Sequence, residues 1–355
     1  MEMINRSVLG NDFDYFQLYL FIFSDSLQSL EMPSFLIKYL NTVTMQRLKY
    51  VTQFCGADYT RLFNPRFKYT RFHHSIICAL IVWHFTRDKK ETIKALLHDI
   101  GTPCFAHTID FVLHDTINQE SSERKLSELA KLDSELMQYL KEDGIEVEEL
   151  DDLSNCHILE NKHPRLCADR LDGVLHTSYI WLNEDTGSQI KKIIKDIKVL
   201  ENEDNLPELG FSNFESALNF AELVSRYAKT LQRNRTKYMN QYISEVVSLS
   251  IKKGLITLDD LYTRKESELV ELFKNNFSSW GVFSNSDYVS SSDFKQEDYS
   301  VCIDVKRRNV VPLVEVDGKT SRIDEVSESA KKIYEDIENY HDKKYGYIKN
   351  LKRVE

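Results

Sequence analysis

Apolar positions recur at three- and four-residue spacings along most of this chain, the pattern of helices that bury one face. The spacing sets in after Met32, where Phe35, Leu36, Tyr39 and Leu40 share one stripe and Leu48, Val51 and Phe54 continue it. Ahead of it, Tyr15 to Phe23 is aromatic-rich and strand-like, and Ser24–Ser26 reads as a polar turn. Residues 72–86 carry Phe72, Ile76, Ile77, Leu80, Ile81, Trp83 and Phe85, apolar nearly all round, which predicts a helix buried on every side. A short helix is predicted over Glu91–Asp99, with Gly101 as its left-handed cap and Pro103 as its stop, and helical spacing resumes over Phe105–Leu113.

The acidic stretch Glu142–Leu153 has no aromatic residue and is expected on the surface. Pro164 is placed to begin a helix that carries Leu166, Leu171, Val174, Leu175 and Ile180. Helical patterns fill 187–200 and 213–253, and a Ser/Asn/Asp-rich stretch over about 277–299 reads as a linker. Two strand-like runs, Tyr299–Val305 and Asn309–Val316, lead to an Asp317-Gly318 turn and a last helix over about 324–340. The predicted fold is mainly α, a helical core with small β elements near the N-terminus and in the C-terminal region. Residues 1–276 form its main domain and 277–355 an α+β region after the linker.

Composition supports that reading. Of 355 residues only 11 are glycine and 6 proline, too few for a turn-dense sandwich or a glycine-looped dinucleotide fold. The formal net charge of −10 argues against a broad footprint on duplex nucleic acid, though a local basic pocket remains open to a small phosphate ligand. Six scattered cysteines without a CxxC pair read as reduced thiols. No basic segment precedes an apolar stretch at the N-terminus, and Phe16–Phe23 is too short to span a bilayer, so a soluble, cytoplasmic protein without membrane contact is expected.

Histidine-aspartate dipeptides occur three times, so the dipeptide alone says little. His341-Asp342 sits in a charged tail and His114-Asp115 ends a helix in polar company, where a terminal hydrogen bond accounts for it. His98-Asp99 differs, because Ala95-Leu96-Leu97 precede it and Ile100-Gly101 follow. A carboxylate buried beside an imidazole is costly without a neutralising partner, and a divalent metal is one such partner. His74 lies in the preceding buried helix and Asp169 in the helix after Pro164. Two imidazoles and two carboxylates from three helices make a mixed N/O set suited to manganese, iron, magnesium or zinc. Any one of the four alone would be read as an ordinary core residue; their order and setting together favour the metal.

The order His74, His98-Asp99, Asp169 resembles the H…HD…D motif of the HD-domain phosphohydrolases. The nearer resemblance is to their deoxynucleotide triphosphohydrolase branch, carried by Met45–Gln53, Arg71-Phe72-His73-His74-Ser75, Leu97–Gly101 through His107 to Asp110, and Ala168–Asp172. It spans roughly residues 15–260 in motif order. The resemblance implies a mostly helical enzyme that cleaves a dNTP to a deoxynucleoside and triphosphate, with His74, His98, Asp99 and Asp169 holding a divalent metal, Mn2+ or Mg2+ before Fe2+ or Zn2+. It makes His107 the donor of a proton to the departing 5′-oxygen, with Asp110, three residues on, supporting the charged imidazole. Arg71 and Arg170 would hold phosphate oxygens, and Gln53 the sugar 3′-hydroxyl. Arg233, Arg235, Lys237 and Tyr238, a basic-aromatic cluster on a long helix, are expected to add phosphate contacts; a solvated basic face explains them equally well. Thr102 and Gln119 stand where relatives have pocket histidines, and Gly173 and Thr177 where they have tyrosine and aspartate.

Three functions are consistent with these residues. The leading one is a metal-dependent dNTP triphosphohydrolase, a homo-oligomer acting in anti-phage nucleotide depletion. The alternatives are a nucleotide phosphatase or phosphodiesterase on a signalling nucleotide, and a nucleotide-binding regulator that has lost catalysis. Retention of His107 and Asp110 weighs against the regulator, which needs no proton donor.

Overall fold

The computed structural model describes residues 22–23, 32–119, 125–183 and 187–355, and the fold is mainly α with two small sheets. Of the strand-like N-terminal run, Ile22 and Phe23 are helical and the remainder lies outside the described residues. The centre of the core is α1 (Arg71–Thr86), in which every residue from Arg71 to Val82 is buried, as its all-round apolar pattern requires. Left-handed Arg87 closes it, and the Asp88 carboxylate accepts the Glu91 N–H at 2.9 Å to start α2 (Lys89–Leu97), which folds back along α1. His98 is the C-terminal residue of α2. Gly101 is not left-handed; the chain instead turns through Ile100 N–H to Leu97 O and Thr102 N–H to Asp99 O, which keeps Asp99 beside the helix end.

The next helices are α3 (Thr108–Val112) and α4 (Ala168–His176), the latter starting four residues beyond Pro164. Two 19-residue helices, α5 (Phe214–Gln232) and α6 (Asn234–Lys252), back the core. The supposed linker after 277 is structured: Phe277, Trp280 and Phe283 are buried, and their burial builds α8 (Ser278–Ser284) behind α7 (Glu266–Asn276). The last long helix is α9 (Glu328–Asn339).

The expected helix over 187–200 ends at Lys195, and Ile197–Glu201 forms β1, paired antiparallel with β2 (Pro207–Phe211). Cross-strand pairing overrides the helical spacing there. The short sheet of β3 (Ser290–Ser292), β7 (Tyr345–Tyr347) and β4 (Ser300–Val301) joins the end of the chain to the polar stretch. The other sheet has the order β1-β2-β5-β6, with β5 (Leu313–Val316) parallel to β2 and β6 (Lys319–Arg322) closing a hairpin. At Gly210 a side chain would meet the Leu313 carbonyl oxygen at 2.8 Å, so glycine permits the parallel pairing. This sheet crosses the division expected at residue 277, taking two strands from each side. An ion pair fixes the crossing: Arg322 of β6 donates to both oxygens of Glu208 on β2, at 2.5 and 2.8 Å, and Glu208 has no exposure. Residues 302–305 and 309–312, expected within strands, run with 306–308 as an extended strap without regular structure. Among the described residues no helix is long and apolar enough to cross a membrane.

Candidate functional site

Helix α1, the end of α2 and the start of α4 bring His74, His98, Asp99 and Asp169 together. His74 Nε2 lies 3.0 Å from an Asp169 oxygen and 3.8 Å from one of Asp99; His98 Nε2 lies 3.9 and 3.8 Å from oxygens of the same two residues. The second nitrogen of each imidazole is already used. His98 Nδ1 donates to the Ala95 carbonyl at 2.7 Å, and His74 Nδ1 donates to Asp172 at 2.6 Å. Those bonds fix the tautomers and leave both Nε2 lone pairs among carboxylate oxygens. His98 Nε2 is buried and has no hydrogen-bond partner among the described residues. Without a cation, the carboxylates favour protonation of His98 and, more strongly, of His74. Burial opposes that, yet Cys78, Asp169 and Asp172 outweigh it and hold the His74 imidazole well above its ordinary value.

Two nitrogen lone pairs and two carboxylates around an orphaned acceptor are the donor set of a divalent metal, so these four residues could hold one. Cys78 also approaches His74 Nε2, at 3.6 Å, but burial pushes its thiol up to about 12, which keeps it protonated and a poor ligand. Sequence reasoning quoted Asp172 without giving it a task. It is fully buried, accepts from Tyr69 Oη at 2.9 Å and from His74, and sets the orientation of that imidazole. The signal was its place three residues after Asp169, on the same face of α4.

These groups open into a cavity of about 600 Å3, within the usual range for a small-molecule site. Gln53, Arg71, His107 and Arg170 also line it. Arg71 is buried and donates through Nη1 to both Asp99 oxygens at 3.0 Å, while the Thr102 hydroxyl donates to Asp99 at 2.9 Å. Gln53 is held at the rim by an isolated bridge between Thr52 and Thr70 and by its own N–H to the Tyr69 carbonyl, and its buried Nε2 has no partner among the described residues. Arg170 lines the wall, but both its terminal nitrogens are taken up by Glu160, Asn161 and the Arg165 carbonyl.

His107 follows two left-handed residues, Phe105 (φ 63°) and Ala106 (φ 42°). Neither is glycine, so that turn stores strain. One buried carboxyl restrains it: Glu266 of α7 accepts the Phe105 N–H at 2.9 Å and the Thr52 N–H at 3.2 Å, joining the turn that carries His107 to the loop that carries Gln53. Burial, with Asp58 nearby, pushes the Glu266 carboxyl up to about 8. His107 Nδ1 meets an oxygen of fully buried Asp110 at 3.1 Å, leaving Nε2 as its other polar atom. The expected rise in its pKa is absent. Burial and the positive charge of Arg308 outweigh Asp110 and bring the imidazole down to about 4.

Other expectations fail for steric reasons. Tyr238 is fully buried, donating to the Tyr299 carbonyl at 3.2 Å, and Lys237 lies near Asp304 and Asp342; neither lines the cavity. Arg235 stacks on the Phe63 ring at 4.1 Å and Arg233 is exposed. The side of α6 that carries Lys237 and Tyr238 packs on the C-terminal segment. His341-Asp342 is not loose tail, since Asp342 accepts the Asn234 N–H at the start of α6. What sequence reasoning missed is the strap. Lys306, Arg307, Arg308 and Asn309 line the cavity, and the visible signal was a run of three basic residues that had been read as a break between strands.

No family model matches the chain. It is 25% identical over 319 residues to the uncharacterized protein YdhJ of Bacillus subtilis strain 168, covering 88% of this chain and 94% of that one. Its fold is shared with the crystal structure of a phosphohydrolase from Bacteroides thetaiotaomicron, at TM-score 0.61 and 15% identity, over 91% of this chain and 97% of that one. A hypothetical protein from Aquifex aeolicus is similar at TM-score 0.51 and 17% identity, over 92% and 95% of the two chains.

Proposed function

We propose that this fold, shared with a phosphohydrolase, serves here as a metal-dependent phosphohydrolase that splits a deoxynucleoside triphosphate into a deoxynucleoside and triphosphate. The observation that carries the reading is the orphaned His98 Nε2 among His74, Asp99 and Asp169, in the same cavity as the His107–Asp110 pair. His74, His98, Asp99 and Asp169 would hold the metal, which supplies Lewis acidity toward a phosphate oxygen and lowers the pKa of water.

The chain's own residues account for the remaining requirements. Asp172 and the Ala95 carbonyl hold the two imidazoles with their lone pairs turned toward the cluster. Arg71 fixes Asp99 and places a positive charge beside it. The bond to be broken joins the α-phosphorus to the 5′-oxygen. Water oxygen ends on the triphosphate, and the departing 5′-oxygen takes a proton from His107 Nε2. In the ligand-free protein that imidazole is neutral at pH 7, because Arg308 and burial suppress its charge. An arriving polyanion offsets Arg308 and so removes one of the influences that keep the imidazole neutral. Gln53, with a free amide donor at the rim, suits a sugar hydroxyl.

The test is incubation of the protein with manganese and each dNTP or rNTP, with identification of the products. Deoxynucleoside and triphosphate, with rNTPs cut poorly, support the reading. Release of orthophosphate or pyrophosphate instead would move the assignment to another nucleotide phosphatase, and an Asp99→Ala protein that keeps full metal occupancy would remove the proposed ligand set.

A further inference from the structure

Among the described residues, the cavity lining contains five cationic side chains, Arg71, Arg170, Lys306, Arg307 and Arg308, against three carboxylates, Asp99, Glu160 and Asp169. That is a local positive excess in a chain of net charge −10. The carboxylates are spoken for: Arg71 pairs with Asp99, Arg170 with Glu160, and Asp169 with His74. Arg308 stands apart from these pairs. Its Nη2 donates to the Gln119 side-chain oxygen at 2.8 Å and it bonds the Tyr227 hydroxyl, both neutral groups that aim the guanidinium without cancelling its charge.

The strap that presents it is anchored along its length. The Lys306 N–H donates to the Thr116 carbonyl, the Thr116 hydroxyl to the Asp304 carbonyl, and Gln232 to the Val305 and Lys306 carbonyls. Arg307 is tied by the Ile337 and Tyr340 carbonyls of α9, and the Val311 N–H by Pro164. An extended segment held by so many bonds, carrying into a cavity an arginine with no carboxylate partner among the described residues, is arranged for an anion.

We propose that Arg308, aimed by Gln119, is the specificity residue that holds a phosphate beyond the one at the cleaved bond, so that the site selects polyphosphate ligands over single phosphates. This rests on the reading of the cavity as the phosphohydrolase site. The first phosphate lies with the His/Asp cluster and Arg71, and Arg308 offers a second, separately anchored fork of donors. Beside burial, the charge of Arg308 also lowers the His107 pKa, so an anion held by Arg308 eases protonation of that imidazole.

The test is calorimetric titration of the full-length, manganese-loaded protein with inorganic triphosphate and with orthophosphate, together with NMR titration of His107 with and without triphosphate. For Arg308→Gln, triphosphate affinity should fall roughly 10–100-fold, the scale of a lost charge-assisted bidentate contact, while orthophosphate affinity changes less than about 3-fold. Arg308→Lys should recover part of the loss. Triphosphate should raise the His107 pKa in the wild type and barely alter it in Arg308→Gln. Equal losses for both anions, or wild-type triphosphate affinity in Arg308→Gln, would overturn the assignment even if dNTPs are cleaved. Selective triphosphate binding through Arg308 in a protein that cleaves no dNTP would uphold it and sink the dNTP reading instead.

Discussion

Changing Asp172 to asparagine keeps the side chain's shape and removes one charge from a position with no exposure. In the wild type the carboxylate accepts the His74 Nδ1–H at 2.6 Å and the Tyr69 hydroxyl at 2.9 Å. Both donors reach the same carboxylate oxygen, so an asparagine with its amide oxygen there accepts both without the charge, whereas one with its NH2 there meets both with N–H. Where the amide faces His74, the imidazole must move its proton to Nε2 and lose the lone pair that faces Asp169. Carboxylates that orient a ligating histidine typically contribute about 10–100-fold to metal affinity, and that is the loss expected for Asp172→Asn. At roughly 1.4 kcal/mol per decade this corresponds to about 1.4–2.8 kcal/mol of binding free energy. Tyr69→Phe is the control, since it deletes one neutral hydrogen bond to the same carboxylate and leaves the charge; its effect on metal affinity should stay below about 5-fold. The assay is competition for Mn2+ against a chelator of known affinity, with circular dichroism of the metal-free variants to show that both remain folded. A folded Asp172→Asn protein with wild-type Mn2+ affinity would refute the idea that the Asp172 charge supports His74 as a ligand.

Arg322→Met should destabilise the protein by about 3–5 kcal/mol in denaturant unfolding, because it leaves the buried Glu208 carboxylate with only Arg165, 3.8 Å away, as an opposite charge; a loss under about 1 kcal/mol would show that the pair is dispensable. The Glu266 carboxyl, lifted from 4.5 to about 8, holds its proton more tightly in the folded state, so its contribution is full below about pH 4.5 and is lost as pH rises through 8. Glu266→Gln should therefore gain stability relative to wild type between pH 5 and 9 in melts across that range, and parallel pH profiles would count against a buried, protonated Glu266. With a free-state pKa of about 4, His107 is progressively deprotonated above that pH, so the alkaline limb of kcat should lie at higher pH than that of kcat/KM. His107→Ala should lose about 10²–10⁴-fold in single-turnover rate while keeping nucleotide affinity, and a wild-type rate would place the proton donor elsewhere.

The helical core and the His/Asp cluster were legible because both are written in local pattern. α1 is apolar on all sides, and a charged pair at the end of a buried helix stands out against Ala95–Leu97. What escaped is what depends on distant partners. Residues 197–200 carry helical spacing, yet they pair with β2, which in turn receives β5 from more than a hundred residues further on. Lys237 and Tyr238 have the composition of a phosphate site, but the side of α6 they occupy is covered by the chain around Tyr299. The strap was misread because Lys306–Arg308 interrupts two β-rich runs, and only the tertiary bonds to Thr116, Gln119 and Pro164 turn that interruption toward the cavity. His107 was placed correctly beside Asp110. The sign of its pKa shift depended on burial and on Arg308, two hundred residues away.

The sheet that crosses from β2 to β5 also orders events in time during synthesis. At about 5–20 residues per second, a ribosome that has released Asp172 needs roughly 7–27 s more to release Arg308. Throughout that interval the nascent chain has the whole His/Asp cluster but lacks the arginine beside His107, and β2 has no neighbour on its free edge. Such an edge is a template for pairing with another chain. A message cut short before β5 would therefore yield a product prone to association, with an unscreened cluster and no means of telling one phosphate from three. The stretch from Arg308 to Val316 thus supplies both the missing charge and the missing strand.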